Sequence, residues 1–198
     1  MDASGAQRTP VPRRDPLGRA GSPRPVVVDG WGPLAEELVA QLRRCDVQVR
    51  GGRHAADGAE LALSTSESLP GVVVVVAEGR APWWAGAPWQ ARGVPHLPVV
   101  LGETGVVVGP LVLPGRTACL RCAGPAWPVS RVCEAGAVSP GTAVLAAAVA
   151  TVTVLATLRG DTSLGGISTE IGLDEVVVTH RLWKLRPGCC CSSATMAG

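Results

Sequence analysis

The residues in this chain best suited to chemistry are its cysteines. Cys119 and Cys122 are separated by two residues, and Cys189, Cys190 and Cys191 follow far downstream. A C-x-x-C pair lets two thiolates reach one ion from a single turn, and a second pair closes a tetrahedral site of the kind that holds zinc. Cys189 and Cys191, spaced C-x-C, are taken as that second pair, with Cys190 an extra thiol beside them; spacing alone leaves the choice among the three open. Four thiolates leave no free coordination position, so the expected zinc is structural rather than catalytic. Free buried thiols and a redox C-x-x-C are the competing readings. The redox reading suffers because the pair follows the turn at Pro114-Gly115 and is not expected to open a helix. Cys45 ends a helical pattern and is expected to be a small core residue. Cys133 lies in a loop where a nucleophile could sit, but no His is near it in sequence.

A second pattern is Gly30-Trp31-Gly32-Pro33-Leu34-Ala35, a G-x-G-x-x-A between a strand and a helix. Such glycines let backbone turn tightly beside a phosphate, and the helix N-terminus favours the anion. Gly30, Gly32 and Ala35 are therefore the candidate nucleotide-contacting residues. The chemistry around them is poor. Trp31 puts a large ring in the loop, Pro33 removes an amide donor, and no acid ends the second strand to hold a ribose. A glycine turn surviving as fold geometry accounts for the motif better than nucleotide binding does. Glu78, just past a valine strand, occupies the carboxyl-end crevice where α/β ligands bind and is the best carboxylate for a site. His54, His96 and His180 show no metal spacing, and His96 is expected to be a packed strand-end residue.

The elements that must position these groups alternate. Pro25–Gly30 is a short buried strand, and Leu34–Arg44 is a helix with Leu34, Leu38 and Leu42 on one face. Val47–Arg50 reads as a second strand. A polar stretch precedes Val72–Val76, five consecutive valines suited to a central parallel strand. Pro95–Leu101 and Gly105–Leu113 are strand-like. The helix Thr142–Arg159 and a strand pair around Ile167–Thr169 and Val176–Leu185 lead into the last cysteines. The expected fold is α/β, with a Rossmann-like, mainly parallel sheet, a C-terminal strand pair and a zinc knuckle. Residues 25–191 form the expected domain, flanked by a Pro/Arg-rich tail (1–24) and a flexible end (192–198).

Composition narrows the function classes. Of 198 residues 46% are hydrophobic, with six Trp and neither Phe nor Tyr, so Val, Leu and Ala must fill the core. Residues 1–25 carry five Arg against Asp2 and Asp15, which leaves the remainder of the chain at −1. A near-neutral body lacks the basic face that nucleic acid requires. Clustered thiols fit a reducing cytoplasm, and no signal-length apolar stretch follows Arg13-Arg14. Ala143–Leu158 is the only membrane candidate; it is short and carries three Thr, so it reads as a buried helix.

The segment from Gly109 to Cys122, with Gly93–Val100 upstream and Ala126-Trp127-Pro128 after it, resembles the approach to the first zinc knuckle of ThiF/ubiquitin-activating-type proteins. The helix from Gly136 to Gly160 and the strand Arg181–Cys191 are similar to the segments that lead to their second knuckle. Within that family the chain looks most like the cyclodehydratase partner proteins of thiazole/oxazole-modified peptide pathways. The resemblance implies a homodimer paired around the interknuckle helix. It also implies a docking role beside an ATP-using YcaO-type enzyme or a leader-binding partner, with contact to the precursor peptide indirect. Active ThiF-type adenylyltransferases hold ATP with an acid after the second strand, then an Arg and a Lys, and a magnesium-binding Asp. Nothing between Val47 and Leu69 matches the first three, and Glu78 stands near the fourth. ATP is expected to bind weakly or not at all. The rival readings are an ATP-dependent adenylyltransferase and, on the glycine loop alone, a dinucleotide oxidoreductase.

Overall fold

The structure, a computed structural model, describes residues 24–63, 68–79, 81–102, 105–124, 139–172, 177–189 and 191. Cys133, Cys190, Ala126-Trp127-Pro128 and both terminal segments (1–23 and 192–198) lie outside them.

Strand β1 (Val26–Asp29) buries its three valines, and α1 (Pro33–Arg44) follows the glycine loop with Leu34, Ala35, Leu38 and Leu42 inward. The i, i+4, i+8 leucines make one continuous apolar stripe, each burial contributing about 1.5–3 kcal/mol. Pro33 sits in the first turn, where its missing N–H costs nothing, and Arg43 and Arg44 sit in the last. The chain then turns through Asp46 at φ 58, and the Val47 N–H bonds back to the Leu42 carbonyl. That bond spends the Val47 donor on the helix end. The second strand therefore begins later than its valines suggest, as β2 (Val49–Gly52), and its two glycines are held by the ladder to β1.

The polar stretch after β2 contains a helix that periodicity did not reveal, α2 (Ala55–Leu63). Its apolar positions are mostly alanine, Gly58 interrupts it, and only Ala59 is fully buried, so the amphipathic signal is faint. It crosses to β3 (Val72–Glu78), where alternate valines serve two layers. Val72, Val74 and Val76 join the core under α1, while Val73 and Val75 meet Val27, Ala59, Trp89 and Val94 on the other face. A 3₁₀ turn (Trp83–Gly86) and α3 (Ala87–Ala91) lead to β4 (His96–Leu101).

From there the sheet meanders. β5 (Gly105–Val108) is antiparallel to β4 and stops at Gly109-Pro110, a cis peptide. The expected strand Gly105–Leu113 is thus broken, and Leu111 and Val112 make only isolated bridges. A short helix, α4 (Leu120–Ala123), precedes the long α5 (Pro140–Leu158), and β6 (Ile167–Gly172) and β7 (Val178–Leu182) form the terminal antiparallel pair. The order is β2-β1-β3-β4-β5-β6-β7, with β2, β1, β3 and β4 mutually parallel and β6 returning to their direction.

Helix α5 is apolar nearly all round and lies against α1 and the sheet. It is long and apolar enough to cross a membrane by composition, yet Ala143, Ala146, Ala147, Ala150 and Val154 are core residues. Ser139 caps it, accepting the Thr142 N–H at 3.1 Å. Thr153 and Thr157 donate to the Val149 and Thr153 carbonyls at 2.9 and 2.8 Å, the back-bonding that lets hydroxyls sit on a packed helix. Thr151 instead donates to Gln41 on α1 at 3.4 Å.

Candidate metal centre and glycine crevice

Two chain segments 70 residues apart meet at the carboxyl ends of β3 and β4. The turn after Leu113 is closed by Thr117, whose hydroxyl accepts the Leu113 N–H at 2.8 Å, and this delivers Cys119 to the start of α4. One helical turn then places Cys122 beside it, its N–H bonded to the Cys119 carbonyl at 2.9 Å. The segment after β7 returns Cys189 and Cys191. Ala77, Ala81, Val100, Val112 and Leu120 surround the sulfurs, so the knuckle is also a small core.

All four sulfurs lie within 4.8 Å of one another. Individual edges are 3.9 Å (Cys119 to Cys122), 3.7 Å (Cys119 to Cys189) and 3.4 Å (Cys122 to Cys191). A tetrahedron with metal–sulfur bonds of about 2.3 Å has edges of about 3.8 Å. The residues fit a tetrahedral metal ion, and the set is compatible with zinc. Among the described residues, Cys189 and Cys191 are the pair brought to this cluster. Burial raises the Cys119 and Cys191 thiols. Cys122 is shifted the other way: burial is the largest influence and raises it, but hydrogen bonds led by the Arg186 N–H, at 3.4 Å from its sulfur, outweigh that and lower it. Arg186, which supplies this outer-shell donor, carried no signal in the sequence.

Two sequence expectations need correction. Cys119 does cap a helix, α4, so the argument against redox chemistry from its place in a turn fails. What sets redox chemistry aside is the third and fourth sulfur. Cys45, expected in the core, is exposed: it caps α1 after the last buried residue, Leu42, and points past the packed face.

At the far side of β3 the glycine crevice keeps its backbone shape. A Cβ on Gly30 would stand 2.7 Å from the Val76 Cβ and 2.8 Å from its carbonyl oxygen, so only glycine lets β1 end this close to β3. Gly32 caps α1 at φ 87, and Ala35 is buried beneath the loop. Glu78 ends β3, half-buried, two residues beyond the valine that Gly30 touches. The mouth is different. Trp31 is 50% exposed, and the Arg53 guanidinium lies over its ring at 4.4 Å, where a ribose-binding acid would be needed. Asp29 turns away to accept the Ala56 N–H at 3.1 Å, holding the start of α2; burial raises its carboxyl against that hydrogen bond. Neither the Trp31–Arg53 stack nor the Asp29 cap was legible as a pair in sequence.

His96 is a packed residue, as expected. Its Nδ1–H donates to the Val94 carbonyl at 3.1 Å, and burial pushes its pKa down to about 4 despite that bond.

With this geometry in view, the comparison with solved structures is decisive for the fold. E. coli MccB bound to MccA-N7isoASN superposes with a TM-score of 0.63 at 14% identity, over 85% of this chain and 66% of that one. A heterocyclase in complex with substrate and cofactor gives 0.63 at 14% identity, over 85% and 25%. The heterocyclase TruD gives 0.56 at 17%, over 85% and 27%. This chain has the fold of MccB and of the heterocyclases. It spans just under two thirds of MccB's length and about a quarter of each heterocyclase. No protein-family model and no curated protein sequence matches it.

Proposed function

We propose that this chain is a zinc-stabilised, non-catalytic ThiF-like scaffold of the cytoplasm that docks a YcaO-type cyclodehydratase, or a leader-binding partner, during azoline formation on a ribosomal peptide. The observation that carries the reading is the contrast within one heterocyclase-like fold: four cysteines grouped for a metal, and a glycine crevice whose mouth holds Trp31 and Arg53. Zinc at Cys119, Cys122, Cys189 and Cys191 would tie the segment after β7 to the sheet and supply folding free energy, with no open position for catalysis.

The scaffold acts through its surfaces, and α5 offers one. Val144, Leu145 and Val152 are exposed on it, Val152 at 60%, while its other face is core. A second copy packing here would make the homodimer, burying roughly 1,600 Å² in all if of standard size. Light scattering, alone and with a candidate cyclodehydratase, tests both partnerships. The expected result is a dimer that Val152→Glu dissociates, together with binding or stimulation of the enzyme. A strict monomer that neither binds nor stimulates the enzyme would defeat the reading.

The second reading is an adenylyltransferase activating a peptide or sulfur-carrier C-terminus. It is favoured by the shared fold with MccB, one of whose structures holds ATP. Glu78 would then stand for the metal-binding carboxylate. Cys133 would be a candidate nucleophile under this second reading alone.

A further inference from the structure

The end of the molecule that carries the four cysteines also has an outer surface that a metal would not use. Three segments build it: residues 81–86 after β3, residues 114–124 through α4, and residues 183–189 after β7. They meet underneath in one small core through Ala81, Leu120, Cys122 and Trp183. Two observations describe their outer side.

The first is aromatic. Trp83 and Trp84 are neighbours on the 3₁₀ turn, 53% and 61% exposed. The turn is firmly seated: a Cβ on Gly86 would stand 2.7 Å from the His96 Nε2 and 3.1 Å from the Leu120 Cδ1. It already lies as close to the body as its backbone allows, and the rings still face water. Single exposed apolar residues are ordinary, but two adjacent indoles on a fixed turn mark a contact surface.

The second is charge. The three segments carry Arg116, Arg121, Lys184 and Arg186 and no acid, which is +4 and leaves −5 on the other residues beyond residue 25. The nearest acid along the chain, Glu78, ends β3 and is half-buried. The cations reach the rings, since the Arg121 guanidinium lies over Trp83 at 5.0 Å. Arg186 crosses the C-terminal end of α4, its guanidinium 3.2 Å from where a Cβ on Gly124 would stand. Leu185, between the last two cations, is exposed as well.

Indole settles at the boundary between lipid headgroups and acyl chains, and clustered Lys and Arg are drawn to an anionic leaflet. Nucleic acid is held instead by a basic groove that tracks its backbone. A standard protein interface needs about 20–30 residues a side around an apolar core. Two indoles and a leucine among cations match the lipid description. We propose that the knuckle end is a peripheral membrane-binding face: Trp83 and Trp84 enter the interface of an anionic bilayer, and Arg121, Lys184 and Arg186 lie against its headgroups. Val99 packs in the core under α5 and Val100 in that of the knuckle, so this face and α5 lie on opposite sides of the sheet. The proposal therefore stands apart from the docking reading.

The test uses the full chain and vesicles of phosphatidylglycerol and phosphatidylcholine in equal parts, read by flotation at physiological salt. The expected result is binding that falls roughly tenfold or more on pure phosphatidylcholine. Brominated acyl chains should quench the tryptophan fluorescence of the bound protein. Trp83→Ala with Trp84→Ala should remove most of that quenching, and Arg121→Glu with Lys184→Glu should weaken binding roughly tenfold or more. Far-UV circular dichroism and metal content establish that each variant is folded. Arg13→Glu with Arg14→Glu controls for the basic tail. Loss of binding in that tail variant, with the face variants binding like wild type, overturns the proposal. So does binding without quenching, or no binding to the anionic vesicles. Displacement of the vesicles by polyuridylate would assign the face to nucleic acid and overturn it too.

Discussion

The two sites that sequence marks out for chemistry, on either side of β3, have been treated differently. At the knuckle, every group a tetrahedral metal needs is present and grouped: four sulfurs, edges of 3.4 to 3.9 Å, and a backbone N–H on Cys122. At the glycine crevice the backbone is intact, but the mouth holds an aromatic ring and a guanidinium. The difference teaches that the glycine loop has a purpose independent of any nucleotide. Gly30 is where β1 and β3 approach within a distance no side chain tolerates, so packing alone retains it. The cysteines have no such packing excuse. Alanine or valine would fill the same small core, so four thiols there point to an ion.

The largest effect should come from breaking the knuckle. Cys119→Ser or Cys191→Ser removes one ligand from a metal whose apparent contribution to folding is on the order of 10 kcal/mol in small domains. The expected outcome is insoluble or metal-free protein, read by metal analysis at one equivalent for wild type. Cys45→Ser, on an exposed helix end, should change stability by no more than about 0.5 kcal/mol. Wild-type protein without zinc that remains folded in chelator would sink the metal assignment.

A smaller effect separates shape from chemistry in the crevice. Gly30→Ala forces a methyl against Val76 at φ 144 and should destabilise by about 3 kcal/mol with no ligand present. Gly32→Ala has open space around it and only its φ of 87 to bear, so about 1 kcal/mol is expected. Denaturant midpoints decide this. If Gly30→Ala is neutral, the loop is not held by packing and the contrast drawn above loses its basis.

What was readable in the sequence follows the same division. The cysteine pairs were legible because ligand spacing is a local pattern. Helix α1 was legible because Leu34, Leu38 and Leu42 repeat at one turn, and β3 because five valines suit a strand buried on both faces. Helix α2 was invisible because alanine and Gly58 give no periodic contrast. The start of β2 was missed by two residues because one long-range hydrogen-bond choice, the Val47 N–H to Leu42, cannot be read from composition. In the site, Arg186 at Cys122 and Arg53 over Trp31 are contacts across 64 and 22 positions, and nothing local announces them.

Acid should sharpen the picture of the core beside the knuckle. His96 titrates near 4 when folded and near its ordinary value of about 6.5 when unfolded. Between those values the unfolded chain binds the extra proton, so stability falls as pH drops from about 6.5 and levels off below about 4. The full difference is about 3 kcal/mol at about 1.4 kcal/mol per pH unit. His96→Asn should lose that portion of the pH slope while keeping any part due to metal release. Chemical denaturation at several pH values measures it, and identical slopes in the two proteins would show that His96 protonates without cost.

The smallest expected effect is the one that decides between the two functional readings. A ligand that binds only folded protein stabilises it by RT ln(1 + [L]/Kd), about 2.7 kcal/mol when present at about 100 times its Kd. An adenylyltransferase with Kd near 10 μM would therefore show about that stabilisation in about 1 mM magnesium-ATP. Here the mouth of the crevice offers Arg53 where a ribose needs an acid, and Trp31 where phosphate needs room. The expected stabilisation is below about 0.5 kcal/mol, the value for a Kd near 1 mM or weaker. Arg53→Asp with Trp31→Gly should raise it, because those changes supply the acid and clear the loop while Gly30 already holds the backbone in place. A wild-type shift near 2.7 kcal/mol would instead mean that the Trp31–Arg53 stack opens to admit nucleotide, and the adenylyltransferase reading would replace the scaffold.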